Sequence, residues 1–264
     1  MPMKRVFRRR HHAGLAAVIG LVAIAGGVAS CAQTTQSTAT LATFESMRVQ
    51  LPAGATDVDV YWPETAAQAP MVIIAHGFLR DRHNMSGWGQ QLAKEGFVAV
   101  VPDLPTQSDH ARNGRFMSDL QAYFHTSASW TKRIDPSRLG LLGFSAGGLS
   151  SLLSAAESPN VTIWVGLDPV DMDGLGAKAA RKLQSRAVVL TAEPSACNAD
   201  GNARGIIADL PRAEHFTIPG AVHVDAEWPS SWMAELICGR TTPEMRDAFR
   251  LRATKALHEA LDNR

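Results

Sequence analysis

Leu139-Gly140-Leu141-Leu142-Gly143-Phe144-Ser145-Ala146-Gly147-Gly148 is the stretch on which the reading turns. An apolar run, Leu139 to Leu142, stops at Gly143, and a helix candidate, Ala146 to Ala156, follows at once. Between them lies Gly143-Phe144-Ser145-Ala146-Gly147, a G-x-S-x-G pattern extended by Gly148. A strand that becomes a helix within so few residues must bend sharply. Small residues two before and two after the serine let the backbone fold that closely, and the bend forces the serine into a strained conformation. It also presents Ser145 at a helix N-terminus, where the dipole and free N–H groups favour developing negative charge. The pattern alone is weak; a buried strand before it and a helix after it make Ser145 the candidate nucleophile, with Gly143 and Gly147 as its elbow.

The flanking sequence repeats the strand–helix theme. Phe44 to Leu51 and Asp57 to Trp62 alternate polar and apolar residues around a Pro52-Ala53-Gly54 turn, which reads as a strand pair. Met71 to Ala75, Phe97 to Val101, Val161 to Leu167 and Ala187 to Thr191 are continuous apolar runs, suited to strands buried on both faces of a parallel sheet. Helices are expected over Ser86 to Glu95, over Ala146 to Ala156, and from a Thr241-Thr242-Pro243-Glu244 capping box onward, with Met245, Phe249, Leu257 and Leu261 on one side. The alternation predicts an open, doubly wound, mostly parallel sheet with helices on both faces, and with the G-x-S-x-G elbow at a strand–helix turn this resembles the α/β-hydrolase fold.

His76-Gly77-Phe78 ends an earlier strand, where this fold completes an oxyanion hole, so the expected backbone donors are the N–H groups of Phe78 and Ala146. His76 itself reads as a hydrogen-bonded loop residue. The fold requires the order serine, acid, histidine. That leaves His215, His223 and His258 as bases. His258 lies within the last helix and His215 within a strand, Glu214 to Ile218. His223 follows Pro219-Gly220-Ala221 in a loop before a helix expected near Ala226, and a loop position is what reaching back over the serine requires. His223 is therefore the expected base. Asp168 follows a strand directly and is the first choice of acid, with Asp171 and Glu193 as alternatives. Asp171, Asp173 and Gly174 do not fit an EF-hand calcium loop, because Pro169 stands where the first ligand belongs.

At this point the chain resembles the chlorophyllase and polyester-hydrolase (cutinase-like) branch of the α/β-hydrolases, over roughly Met71 to Gly239. The resemblance is carried by Ala75-His76-Gly77-Phe78, Glu95-Gly96-Phe97-Val98, Gly143-Phe144-Ser145-Ala146-Gly147-Gly148, and the loops beginning at Cys197 and Gly220. Leu167-Asp168-Pro169-Val170-Asp171 is similar to the chlorophyllase acid loop and favours Asp168. The resemblance implies hydrolysis of small or polymeric carboxylic esters without metal or cofactor, and places Phe78 where polyester hydrolases line the acyl site. It does not imply chlorophyll, since the plant enzymes carry His and Arg beside the serine where this chain has Phe144 and Ala146. A thioesterase, lipase or peptidase with the same three residues, and a non-catalytic binding protein on the same scaffold, are the competing readings.

The N-terminus reads as an address. Basic residues from Lys4 to Arg10 precede an apolar run, Ala13 to Val28, that is short and interrupted by glycines. This is the order of a secretory signal rather than of a membrane span. Val28-Ala29-Ser30-Cys31 resembles the lipobox of bacterial lipoproteins. Residues 1–30 are thus expected to be a signal peptide, Cys31 a lipidated residue, 31–41 a flexible tether reaching about 30 Å when extended, and 42–264 the catalytic domain. The anchor would hold the protein to the cell envelope. In an exported chain the remaining pair, Cys197 and Cys238, is expected to form a disulfide. The formal net charge is +1, but five of the 26 basic residues fall within the first ten positions. Without them the 25 acidic residues outnumber the basic ones, and a mildly acidic body offers no footprint for nucleic acid.

Overall fold

The computed structural model describes residues 42–64 and 67–262. The signal, Cys31 and the tether read from the sequence lie outside the described residues. Eight strands form one sheet: β1 (Ala42–Leu51), β2 (Gly54–Pro63), β3 (Ala69–Ala75), β4 (Val98–Pro102), β5 (Ile134–Phe144), β6 (Val161–Leu167), β7 (Arg186–Thr191) and β8 (Glu214–Thr217). Their spatial order is β1-β2-β4-β3-β5-β6-β7-β8. β1 and β2 pair antiparallel, as does β2 with β4, and the remaining pairs are parallel. The α/β-hydrolase fold expected from the sequence is the fold observed.

Alternation along the strands sends side chains to two cores. Met71, Ile73 and Ala75 of β3 join the core beneath α2 (His110–Thr126), α3 (Ala146–Glu157), α4 (Leu175–Ala180) and α5 (Arg204–Ala208). Val72 and Ile74 join the opposite core, under α1 (Ser86–Lys94) and α7 (Pro243–Leu261). Burial on both faces explains why these strands read as unbroken apolar runs. The chain lays down β3, steps to β4 on one side, then returns to β5 on the other. β3 and β5 are therefore neighbours at a topological switch point, with Ala75 level with Gly143. The turns carrying Phe78 and Ser145 emerge side by side at the carboxyl edge.

Two local expectations need correction, and one helix had no reading. No helix starts at Ala226: a single 3-10 turn spans His223–Ala226, and α6 (Trp232–Cys238) begins beyond Pro229. The residue before a proline is disfavoured in helical conformation, which separates the two. α7 is capped by Thr242, whose side chain accepts the Met245 N–H, so Met245 and not Glu244 occupies the third helical position and the reciprocal half of the capping box is missing. Finally, α2 was not anticipated. Its buried side mixes Phe116, Met117, Leu120 and Phe124 with Asn113 and Gln121, which blunts the apolar period.

Candidate active site

Ser145 sits between β5 and α3 at φ +54°, a conformation disfavoured for any residue with a Cβ. The packing around it leaves no alternative. A Cβ on Gly143 would lie 2.3 Å from the Gly147 carbonyl oxygen, and one on Gly147 would lie 2.3 Å from that of His76. The Ser145 N–H donates to the Leu167 carbonyl at 3.0 Å, and its own carbonyl accepts from Gly148 and Val170. The elbow is thereby tied to β6 and to the loop that follows it. Ala146, the first residue of α3, holds one of the N–H groups that a helix start leaves without an intrahelical partner. Gly77 packs against the elbow so closely that a Cβ there would lie 3.2 Å from that of Ser145, which brings the Phe78 turn alongside.

His223 opens the 3-10 turn after β8 and is buried. Its Nε2 lies 2.9 Å from Ser145 Oγ and its Nδ1 lies 2.6 Å from Asp168 Oδ2. A carboxylate can only accept, so Nδ1 carries the proton and Nε2 is left to accept from the serine hydroxyl. The ring also packs on Phe144, centroids 4.7 Å apart. Asp225 secures the turn by accepting the N–H groups of Val222 and, from the start of α7, Thr242. Burial pushes the Asp225 carboxyl above the usual carboxylate range.

Asp168, 1% exposed, follows β6 directly at φ +44°. Its N–H donates to the Leu190 carbonyl, and Oδ1 accepts the Ala192 N–H at 3.1 Å. Oδ2 accepts from both His223 and Asn198 Nδ2, the latter at 3.0 Å. Of the three acid candidates only Asp168 meets His223. Asp171 spends its carboxylate on the N–H groups of Met172, Gly176 and Ala177 around the start of α4. Glu193 is exposed, with a 3.4 Å contact from the Gly220 N–H. Among the other histidines, His215 meets Thr191 Oγ1, and His258 lies between Glu95 and Asp262. His76 accepts the Leu104 N–H and donates to the Gly77 carbonyl, as a loop histidine should. Burial holds the His76 pKa below the usual histidine value. Among the described residues, no group of three or more His, Cys, Asp or Glu side chains is placed to hold a metal ion.

The sequence reading missed two supports. Asn198 is buried and fully bonded: it donates to Asp168 and the Glu193 carbonyl and accepts from the N–H groups of Ser195 and Gly201. The Cys197–Cys238 disulfide, anticipated from the cysteine count, joins its loop to the end of α6. The second support is a salt bridge from Arg80 Nε to Glu227 Oε1, 2.6 Å, with Glu227 completely buried. Burial raises the Glu227 pKa against the pull of Arg80. The pair links the turn after Phe78 to the turn after His223. The signal for Asn198 was its place beside Cys197; nothing in the local pattern pointed to Arg80 or Glu227. A cleft of about 510 Å³ opens over Ser145 and His223, walled by Phe78, Leu79, Phe144, Met233 and Ile237 with Arg80 at one side.

Comparison with known proteins places this geometry in context. A family model described as PET hydrolase-like matches residues 23–233. Bis(hydroxyethyl) terephthalate hydrolase of Streptomyces coelicolor is 26% identical over 193 residues, 67% of this chain and 61% of that protein. A cutinase of Thermobifida alba is 28% identical over 113 residues, 42% of this chain and 38% of the cutinase. A cutinase of Thermobifida cellulosilytica is 27% identical over 113 residues, 42% of this chain and 43% of the cutinase. The chain thus spans about three fifths of the first of these relatives and about two fifths of the cutinases.

Proposed function

The chain belongs to the PET hydrolase-like family, and from that premise we propose that it is a serine hydrolase that cleaves carboxylic esters at Ser145. The observation that carries the proposal is the continuous relay Ser145 Oγ–His223–Asp168, with contacts of 2.9 and 2.6 Å. His223 Nε2 takes the serine proton as Oγ attacks the ester carbonyl. The tetrahedral oxyanion is held by the N–H groups of Phe78 and Ala146, and loss of one such donor costs about 3 kcal/mol of transition-state stabilisation. The intermediate then collapses, the ester C–O bond breaks, and His223 gives the proton to the departing alkoxide, which leaves as the alcohol while the acyl group stays on Ser145. Water, activated by the same nitrogen, releases the acid and restores Ser145. Asp168 keeps Nδ1 protonated and stabilises the imidazolium in both halves of the cycle.

The substrates proposed are small or polymeric esters, and the terephthalate diester named for the Streptomyces relative is a natural first compound to assay. Ser145→Ala should leave the fold intact by circular dichroism and reduce ester turnover by at least about 10³-fold. Greater residual activity would place the nucleophile elsewhere. The Cys197–Cys238 disulfide supports export to an oxidising compartment. We further propose anchoring to the cell envelope through lipid on Cys31, with 42–264 as the catalytic domain. Mass spectrometry of the mature N-terminal peptide should find lipid on Cys31 and none on the Cys31→Ser chain, and an unmodified Cys31 would refute the anchor.

A further inference from the structure

Helix α6 turns its apolar side outward. Trp232 is 74% exposed, Met233 56%, Leu236 77% and Ile237 77%. They form two adjacent pairs one turn apart, so they share one side of the helix. Ala234 is the only buried residue of α6. A short helix that packs almost nothing inward has no folding reason to carry four large apolar side chains, and contiguous exposed apolar surface marks an interaction site. The one carboxylate on α6, Glu235, is turned back onto the hydroxyls of Ser230 and Thr241. An exposed cation, Arg240, follows the helix. Phe78 and Leu79, 53% and 68% exposed, face the same cleft that Met233 and Ile237 line. The patch and the cleft mouth are therefore continuous.

We propose that α6 and the Phe78–Leu79 turn form a rim that docks into the lipid bilayer, so that the esters presented to Ser145 are ones dissolved in the membrane. The proposal rests on the ester-hydrolase reading and on the anchor at Cys31. The chain between Cys31 and Ala42 can extend to at most about 35 Å. Met47 pairs with Val58, which pairs with Pro102 at the carboxyl end of β4, so Ala42 lies five residues, about 17 Å, from that edge. β1 lies four strands from β5, about 19 Å across the sheet. The two spans are at right angles and combine to about 25 Å, within the tether's reach, so a lipid on Cys31 and the rim over Ser145 can share one membrane surface. A tethered patch sees lipid at high effective concentration. It also adds a protein contact to the acyl anchor, with tryptophan and arginine suited to the headgroup region.

The test uses the exported full chain carrying Cys31→Ser, so that no acyl anchor contributes, and vesicles of phosphatidylethanolamine and phosphatidylglycerol. This protein should sediment with the vesicles, and bromine-labelled acyl chains should quench the fluorescence of Trp232. Adding Trp232→Gln and Leu236→Gln, neither of which lines the cleft, should lower the partition coefficient at least about tenfold. The same pair should lower hydrolysis of a vesicle-embedded ester comparably, while hydrolysis of a dissolved short-chain ester stays within about twofold. Failure of the Cys31→Ser chain to bind vesicles, or equal hydrolysis of embedded ester with and without the two substitutions, would overturn the proposal. So would a dimer seen by light scattering, or adsorption to polyester film, that depends on Trp232 and Leu236 without vesicle binding. Absence of hydrolysis of the dissolved ester would instead refute the esterase reading, and sedimentation would still decide the docking.

Discussion

Replacing Asn198 with alanine should cripple turnover without touching the cleft. The side chain is 1% exposed and makes four hydrogen bonds, two donated and two accepted. The bond to Asp168 ends on a charge, and such bonds contribute about 1.5–3 kcal/mol. Asp168 Oδ2 also receives His223 Nδ1, so Asn198 fixes the carboxylate that fixes the imidazole. At about 1.4 kcal/mol per factor of ten, the loss corresponds to roughly a 10- to 100-fold fall in kcat. KM should stay within about threefold, because Asn198 does not line the cleft. The three bonds to backbone groups should cost a further 2–4 kcal/mol or so of stability, within the range a domain of this size tolerates. The assay is hydrolysis of a dissolved nitrophenyl ester, well below the melting temperature, with kcat expressed per site titrated by a fluorophosphonate. Asn202→Ala is the paired control, since Asn202 exchanges two hydrogen bonds with the Asp171 backbone and none with the relay. It should cost stability and leave kcat unchanged. A kcat per titrated site for Asn198→Ala within about twofold of wild type, or an equal loss in the control, would refute the positioning role.

Asp168→Asn should lower kcat by about 10⁴, because an amide favours the wrong imidazole tautomer, while Glu193→Gln should change little; the reverse ranking would reassign the acid. Replacing Cys197 and Cys238 together by alanine opens a loop of sequence separation 41. In the chain-entropy model this costs about 4 kcal/mol, or about 8–16 °C in Tm for a domain of this size, and calorimetry showing a change under about 2 °C would contradict it. Burial favours the protonated form of Glu227 in the folded state, so its contribution to stability is full below the ordinary glutamate pKa and is lost as pH rises through the raised one. Denaturant midpoints should therefore show wild type losing ground to Glu227→Gln as pH rises above the ordinary glutamate pKa, about 4.5. A difference that narrows in wild type's favour would contradict the sign.

The features legible in the sequence were those written in short local patterns. Ser145 was readable because the elbow demands glycine at both flanks, and His223 because only a loop histidine after the acid can return over the serine. Strands buried on both faces left continuous apolar runs, and β6 was read at its observed limits, Val161–Leu167. Asp168 was readable as the first choice among three acids. The contact that separates it from Asp171 depends on where each side chain points after a turn that Asp168 itself makes at φ +44°. Asn198 and the Arg80–Glu227 pair were illegible for a related reason. They bridge segments 30 and 147 residues apart, and no local pattern fixes such partners. Helix α2 was hidden because Gln121 on its buried side satisfies itself against Ser154 of α3, an interior polar contact that looks like surface in the sequence.

The central claim is that Ser145 is a nucleophile activated by His223. Its most direct test is to treat the exported protein with a fluorophosphonate and locate the adduct by mass spectrometry of the digested chain. The account predicts a single adduct, on Ser145, formed in step with loss of ester hydrolysis. It also predicts an adduct that His223→Ala slows by about 10³-fold or more, since the relay acts as a unit. An adduct on another residue, or full ester hydrolysis with Ser145 unlabelled, would contradict it.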